Sequence, residues 1–355
     1  MTNKKLTEVL NSKKINRLII EVVMKPVTGD KWQPAGFAEL GFARYDGGKK
    51  CVVDTPASMA NNMEAVCRSR GLGPDSLTDD FRGMPMVLVK VKVPDGAEFS
   101  LTDSLNEGHR IGSEAILDSA MPDGKTFRDW FHEEVGSIKA KKGKKGKGKK
   151  GEPEEVVDVD FLPPDAEWNL FKVIARNDPV SMVLGMFIAK DQTRITRLLE
   201  ATMDATGVEE VHEGGVHKDM LKLTNSGMVP FSKSEMTGAI KATFKMNLSL
   251  LRSYGQGTKG LSEADKSMVL GIALKMVKGL TSGPHQYRTR CDLQPFSMSI
   301  TDENGNKVWD NIPEIDLPEL FKEAGVGPSL TVEYPYPKWA KAQKQTKDTD
   351  AKTDE

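Results

Sequence analysis

The fold is decided first by residues 17–24, RLIIEVVM, a short apolar run rich in β-branched side chains. Pro26 and Gly29 follow it, and an apolar run bounded by turn residues predicts a buried strand. Further along the chain, residues 51–53 (CVV) predict a second strand. Residues 86–93 (MVLVKVKV) alternate well enough between apolar and polar side chains to predict a third, with one polar face. The N-terminal part of the chain therefore supplies strands for a sheet.

Two helices are predicted from clear start signals. Thr55 and Pro56 open a helix that runs on through SMANNMEAVCRSR, and proline costs little at an early helical position. Residues 261–280 have the period of an amphipathic helix. Ser262 is its predicted N-cap, with Asp265 at the third helical position. These helices place α and β elements in the same region of the chain.

The second half of the chain is less regular. Residues 191–205 (DQTRITRLLEATMDA) predict a polar helix, and residues 207–221 a glycine-rich turn. Residues 242–250 (ATFKMNLSL) alternate as a strand does. Strands and helices do not follow one another in the even alternation of a doubly wound sheet, so we predict an α+β fold with long insertions between strands.

The 355 residues suffice for one large domain or two ordinary ones. We interpret residues 15–338 as a single domain, preceded by a tail or short helix at 1–14 and followed by a charge-mixed, disordered tail at 339–355. Residues 139–155 are of low complexity, first lysine and glycine and then acidic, and cannot bury apolar surface. They predict a mobile loop, either a solubilising one or an electrostatic arm for a polyanion.

Charge is unevenly distributed. The net charge is −1, and residues 139–150 alone hold eight lysines, so the rest of the chain carries −9. Residues 233–300 contain ten Lys and Arg against four Asp and Glu, which gives +6. A basic region in an acidic body is expected of a protein that contacts phosphate on one face, although chance clustering on a solvated surface gives the same pattern.

Several classes of protein are disfavoured. The three cysteines (Cys51, Cys67 and Cys291) are widely spaced, which predicts neither a disulfide framework nor a zinc site and fits the cytoplasm. The polar N-terminus lacks the apolar core of a signal peptide, and there is no apolar run of membrane-spanning length. No GxSxG, HExxH, P-loop or Cys/His nucleophile pattern occurs, so we expect no catalytic residues, metal or cofactor.

Two weaker motifs allow other interpretations. Residues 255–260 (GQGTKG) match GxGxxG, but the glycines end before the helix cap and no acid-ended strand follows, which disfavours a dinucleotide site. Gly255 and Gly257 can instead let backbone N–H groups approach a phosphate. His212 and His217 lie in a glycine-rich stretch at a spacing unlike standard zinc patterns.

Eight stretches, in order, carry a family resemblance. They are WQPAGFAELG (32–41), SMANNMEAVC (58–67), EGHRIGSEAIL (107–117), DPVSMVLGMF (178–187), TRITRLLEAT (193–202), GMVPFSKSEMTGAIKATF (227–244), LRSYG (251–255) and RTRCDLQP (288–295). Over about residues 15–340 the chain resembles the GSU-type RAMP family. That family is the Cascade backbone subunit, of the seventh Cas protein family, in CRISPR systems of type I-G (formerly I-U).

The resemblance implies a modified RNA-recognition-motif (ferredoxin-like) palm with finger and thumb insertions. It also implies a non-catalytic subunit that stacks head to tail with copies of itself along a crRNA. The guide then pairs with target DNA, and other Cascade subunits and a helicase-nuclease complete the system. Because guide sequences vary, such a protein must contact phosphate and ribose rather than base edges.

The resemblance also implies which residues contact RNA. Ser58, Asn61 and Asn62 lie near the start of a predicted helix, whose N–H dipoles favour phosphate. The remaining candidates are basic, aromatic or glycine residues of the other matched stretches: His109, Arg110, Arg194, Arg197, Lys233, Arg252, Tyr254, Gly255, Gly257 and Arg288. For Tyr254 the alternative role is core packing, and for Arg194 and Arg197 it is a solvated helix face.

Two features limit the transfer from the family. The lysine-rich segment 139–150 looks like a local insertion, so no family role is inferred for it. Family members usually have Glu-Ser-x-Gln before Ser-Met-Ala-Asn, where this chain has Asp54-Thr55-Pro56-Ala57, so the contacts of the first helix differ in detail.

Asp30 follows the first strand, at a place comparable to the loop aspartate that related type III backbone subunits use to cleave target RNA. A guide-dependent, metal-assisted RNase is therefore the alternative function, and an ordinary turn aspartate the alternative role of Asp30.

Overall fold

The computed structural model describes residues 3–37, 41–136, 138–143, 156–161, 166–188, 193–218 and 228–343. The helices are α1 Lys4–Asn11, α2 Pro56–Val66, α3 Glu114–Leu117, α4 Phe127–Val135, α5 Glu167–Asn177, α6 Pro179–Leu184, α7 Leu248–Ser253, α8 Glu263–Thr281 and α9 Leu317–Ala324. Residues 336–343 are also helical. Single 3-10 turns lie at Pro74–Ser76, Asp79–Phe81 and Arg110–Gly112.

The strands of the first half are β1 Arg17–Pro26, β2 Gly36–Phe37, β3 Gly41–Phe42, β4 Arg44–Tyr45, β5 Lys50–Asp54, β6 Val87–Lys92, β7 Glu98–Asp103, β8 Ile138–Gly143 and β9 Val156–Phe161. Those of the second half are β10 Met186–Ile188, β11 Thr193–Ile195, β12 Leu199–Lys218, β13 Met228–Asn247, β14 Gly255–Gln256, β15 Lys259–Gly260, β16 His285–Arg288, β17 Cys291–Thr301, β18 Lys307–Trp309 and β19 Leu330–Glu333. Strands and helices are mixed, which confirms the predicted α+β class.

The largest sheet has the strand order β16-β17-β1-β13-β12-β5-β4, with β18 beside β17. Every neighbouring pair in it is antiparallel. Strand β1 lies in the middle and alternates as the sequence predicts, with Leu18, Ile20, Val22 and Met24 buried. A strand of period two can bury one whole face in this way.

Helices α2 and α8 cover the buried face. They pack against each other, and α2 also packs on β12. Ser262 caps α8 and forms a capping box with Asp265, as predicted. Helix α8 is buried around most of its circumference because α1, α2, α6 and α9 all contact it. It is the centre of the helical layer.

The other face of the sheet is polar. Lys241 Nζ lies 2.5 Å from Glu21 Oε1 on β1, and Lys245 Nζ lies 2.6 Å from Glu200 Oε2 on β12. Both lysines are about half exposed, so these cross-strand pairs contribute little stability. A second sheet has the order β19-β6-β7, in which β19 is parallel to β6.

The predicted helix at 191–205 is wrong over the described residues 193–205, and the predicted turn at 207–221 is wrong over the described residues 207–218. Strand β12 runs through both, paired with β13 on one side and, over Met203–Thr206, with β5 on the other. Leu199, Ala201, Met203 and Ala205 are buried at period two, and this tertiary pairing overrides the helical propensity of the stretch. The glycine at 207 falls at a bulge in the ladder instead of a chain reversal.

The chain ends and the lysine-rich segment are partly described. Helix α1 buries Leu6, Val9 and Leu10, so the short-helix alternative holds there. Residues 138–143 pair with 156–161 as a hairpin, and residues 144–155 of the predicted mobile loop lie outside the described residues. Of the predicted disordered tail, 339–343 are helical and 344–355 lie outside the described residues.

Candidate nucleic-acid interface

The start of α2 is built by its cap. Thr55 is extended, and its Oγ1 accepts the Ser58 N–H at 3.2 Å, while Pro56 occupies the first turn. Ser58 is half-buried and Asn61 is exposed on the first turns that follow. The sequence prediction of a helix here is confirmed, although it ends at Val66, well before the predicted stop at Gly71.

A buried carboxylate organises the base of this helix. Asp54 has no exposed surface, and Arg288 Nη2 lies 2.6 Å from its Oδ1. Asn62 Nδ2 donates to the other carboxylate oxygen at 3.2 Å. Burial raises the pKa of Asp54, and hydrogen bonding to Ser58 and the charge of Arg288 oppose that rise. We call Asp54, Asn62, His285 and Arg288 the α2 cluster.

His285 completes the α2 cluster from strand β16. Its Nε2 lies 3.2 Å from Asn62 Oδ1. Since the Asn62 amide nitrogen donates to Asp54, its oxygen faces His285 and requires that Nε2 carry a proton. Burial lowers the pKa of His285, which favours the neutral ring. Sequence reasoning missed this residue, and its only signal was its place three residues before Arg288.

Arg197 joins the β10–β11 hairpin to the start of α2. Its Nε donates to the Leu184 carbonyl at 3.1 Å, and its Nη1 donates to the Pro56 carbonyl at 3.2 Å. Burial lowers the pKa of this guanidinium, and the nearby charge of Arg110 acts in the same direction. Arg197 lies in the short connection between β11 and β12, so its predicted place on a helix is wrong.

Arg110 lies inside the protein. Its side chain is 7% exposed, and its Nη2 lies 2.7 Å from Glu64 Oε1 on α2. Its Nη1 donates to the Gly185 carbonyl at 2.8 Å, just before β10. Asp178 lies close by and accepts the Ile111 N–H and the Ser181 hydroxyl. Arg110 therefore ties α2 to the hairpin from within, and its guanidinium is engaged by protein groups.

The pH dependence of stability should report on Asp178. Burial raises its pKa to about 6 from an ordinary 3.8. Between these values the folded protein holds a proton that the unfolded chain has released, so this contribution to stability is lost as pH rises through about 6. Relative to Asp178→Asn, the wild-type free energy of unfolding should fall by up to about 3 kcal/mol from pH 4 to 7. Urea unfolding at a series of pH values measures it, and a pH-independent difference between the two proteins would contradict it.

Two more predicted site residues lie on or beside the β10–β11 hairpin. Arg194 is exposed on β11, and its side chain makes no hydrogen bond or ion pair with any residue that the structure describes. His109 is exposed, with its ring 6.4 Å from that of Phe187 on β10. Arg110, Arg197 and Arg288 thus each contact α2 or the residue group at its start, through Glu64, Pro56 and Asp54 respectively. Arg194 lies on the neighbouring β10–β11 hairpin and His109 beside it.

Other predicted residues lie in structural positions. Arg252 donates to the carbonyls of Val9, Leu10, Ser12 and Ile15 and so caps the end of α1. Tyr254 is 5% exposed, packs against Phe171 and donates to the Thr196 carbonyl. Gly255 and Gly257 belong to the tight β14–β15 hairpin. The side chain of Lys233 lies outside the described residues.

The residues considered for catalysis or metal binding are dispersed. Asp30 is exposed in the turn after β1. His212 Nδ1 lies 2.8 Å from Ser234 Oγ on the neighbouring strand, and the side chain of His217 lies outside the described residues. Within the described ranges, no three His, Cys, Asp or Glu side chains lie together as a metal site would need. Among the same residues, no helix has the length and apolar character that crossing a bilayer requires.

Comparison with known proteins gives one family. Residues 18–210 match the family model described as CRISPR-associated protein GSU0053. No curated protein matches the chain. A chain of a solved complex described as "CRISPR RNA-guided surveillance complex, pre-nicking" is 10% identical, with a TM-score of 0.38, over 80% of this chain and 77% of that one.

Proposed function

The chain belongs to the CRISPR-associated GSU0053 family, and we propose that it is a non-catalytic crRNA-binding backbone subunit of a type I-G Cascade complex. Several copies would stack head to tail along one guide. The guide would pair with target DNA, and other subunits together with a helicase-nuclease would act on that DNA.

One observation supports RNA binding most. At the start of α2, which carries Ser58 and Asn61, Arg197 binds the Pro56 carbonyl and Arg288 binds Asp54. Small hydroxyl and amide side chains, helix N–H groups and guanidinium ions are the groups that bind phosphate and ribose without reading bases. These groups come from positions up to 230 residues apart in the sequence, and the fold gathers them beside the start of one helix.

The strand order supports the palm that the resemblance implies. We infer a ferredoxin-like palm from β17-β1-β13-β12, with α2 between β1 and β12 and α8 between β13 and β17. This is the order of a split β-α-β unit with both helices on one face. In this proposal the long segments between the strands are the finger and thumb insertions of one domain spanning 15–338.

Assembly along a guide is directly measurable. The chain is purified from a host without CRISPR RNA and mixed with single-stranded RNAs of increasing length. Light scattering should show that the number of bound copies rises stepwise with RNA length. Duplex DNA of the same lengths should not give this stepwise rise. One copy per RNA at every length would contradict a backbone role.

A cleavage assay distinguishes the non-catalytic subunit from the alternative, a guide-dependent RNase. The assembled complex is incubated with complementary RNA and Mg²⁺, and we expect the RNA to stay intact. Periodic cuts that disappear in Asp30→Ala would overturn the non-catalytic proposal and establish the metal-assisted RNase. Asp95→Ala, at another exposed turn aspartate, is the matched control.

A further inference from the structure

The outer face of the β10–β11 hairpin carries an aromatic ring that no predicted role explains. Met186, Ile188 and Ile195 are buried on its inner face. Phe187 and Arg194 are directly opposite each other in the ladder, so they share the outer face with Cβ atoms about 5 Å apart. Phe187 remains 36% exposed, so part of its ring is accessible from the solvent.

The backbone beneath Phe187 is held firmly. Arg110 binds the Gly185 carbonyl, and Arg197 binds the Leu184 carbonyl, both just before β10. A Cβ atom added to Gly112 would lie 2.9 Å from the Phe187 carbonyl oxygen, so the 3-10 turn and the strand are in close backbone contact. The ring is therefore presented on a rigid support that is tied to α2.

The surroundings of the ring are basic. The exposed His109 ring meets Phe187 edge-on, at 66° between the planes. Arg194 lies opposite it in the ladder, and its guanidinium makes no ion pair with a described residue. Glu107, two residues before His109, has its carboxylate oxygens occupied by the Thr102 and Ser113 hydroxyls. An exposed aromatic face flanked by cationic or neutral donors suits the base and phosphate of a single strand.

We propose that Phe187, flanked by His109 and Arg194, is a stacking site for an unpaired nucleobase of the bound RNA. This rests on the RNA-binding function proposed above and adds contact with a base to contacts with phosphate and ribose. Stacking on an aromatic face tolerates every base, so it is compatible with guides of varied sequence. Arg194 neutralises the adjacent phosphate, and His109 supports the ring from its edge.

Binding of short oligouridine, measured by fluorescence anisotropy, tests the stacking site. Phe187→Ala and Phe187→Leu should both weaken binding about 5- to 150-fold, because both remove the aromatic face, and Phe187→Trp should retain it. Oligomers with abasic sites should bind wild type as weakly as Phe187→Leu binds normal RNA. Phe187→Leu should lose no further affinity with abasic RNA, because its stacking partner is already gone.

The outcomes separate this site from the function as a whole. If wild type binds RNA and Phe187→Leu binds it equally well, the stacking site is wrong and the proposed function stands. If wild type binds no RNA, the proposed function fails. If the Leu variant keeps its affinity for short RNA but no longer associates with other copies on long RNA, the face is a contact between copies and the stacking site is overturned. Unchanged thermal unfolding of the Leu variant shows that the fold is intact.

Discussion

Replacing Arg110 by alanine is expected to lower the free energy of unfolding by about 3–5 kcal/mol at pH 8. The change leaves the Glu64 carboxylate without its counter-ion in a site that is 11% exposed, and the neighbouring Asp178 is fully buried. The Gly185 carbonyl also loses its donor. Since burial raises the pKa of both acids, they can take up protons at low pH, and the loss should be smaller at pH 5.

Urea unfolding at the two pH values measures this effect. Arg194→Ala is the matched control, because that side chain is exposed and makes no ion pair with a described residue. The stability of this variant should stay within about 0.5 kcal/mol of wild type. Arg110→Gly distinguishes the loss of the side chain from backbone strain. Arg110 has a φ of 53°, which glycine adopts without strain, so a loss of stability in this variant comes from the missing guanidinium contacts. If Arg110→Ala has the same free energy of unfolding as wild type, the stabilising role of the buried Arg110 contacts between α2 and the hairpin is contradicted.

Replacing Gly255 by alanine should have the second large effect, a loss of about 3 kcal/mol or more. An added Cβ would lie 2.0 Å from the Leu261 carbonyl oxygen and 2.7 Å from the Leu261 nitrogen. Both are backbone atoms held by the β14–β15 hairpin, where Gly255 pairs with Gly260, so neither can move aside cheaply. The loop must deform or the helix that follows it must shift.

Gly257→Ala in the same loop is the control. Gly257 has a φ of 62° with no atom within 4 Å of an added Cβ, so only the backbone strain of about 1–2 kcal/mol applies. Thermal or urea unfolding compares the two variants. If Gly255→Ala is as stable as Gly257→Ala, the close packing of Gly255 against the Leu261 backbone is contradicted. Loss of RNA affinity in a stably folded Gly257→Ala would support the predicted phosphate-binding role of this loop.

Local patterns were enough to predict the elements that begin with strong signals. Strand β1 alternates around a buried face, and α2 and α8 have side-chain caps at Thr55 and Ser262 that the sequence displays. The region around β12 misled the prediction because its polar side chains follow a helical period as well as a strand period. Only its pairing with β13, a distant strand, decides between the two.

The roles of the arginines could not be predicted in the same way. Arg110 and Arg252 look alike in the sequence, as basic residues in matched stretches. Their environments depend on groups far along the chain, Glu64 on α2 for the first and the carbonyls at the end of α1 for the second. Phe187 was missed because it lies within an apolar run that resembles core, and only the hairpin register places it on the outer face.

The central claim is that the surface around α2 and the β10–β11 hairpin binds single-stranded RNA. The most direct measurement is the affinity of the purified chain for single-stranded RNA over a range of salt concentrations, for wild type, Arg194→Ala and the distant control Lys322→Ala on α9. Affinity should fall with salt, and the slope of log K against log salt should shrink by about 0.7 in Arg194→Ala and stay unchanged in Lys322→Ala. Absence of RNA binding by wild type, or equal slopes in all three proteins, would contradict it.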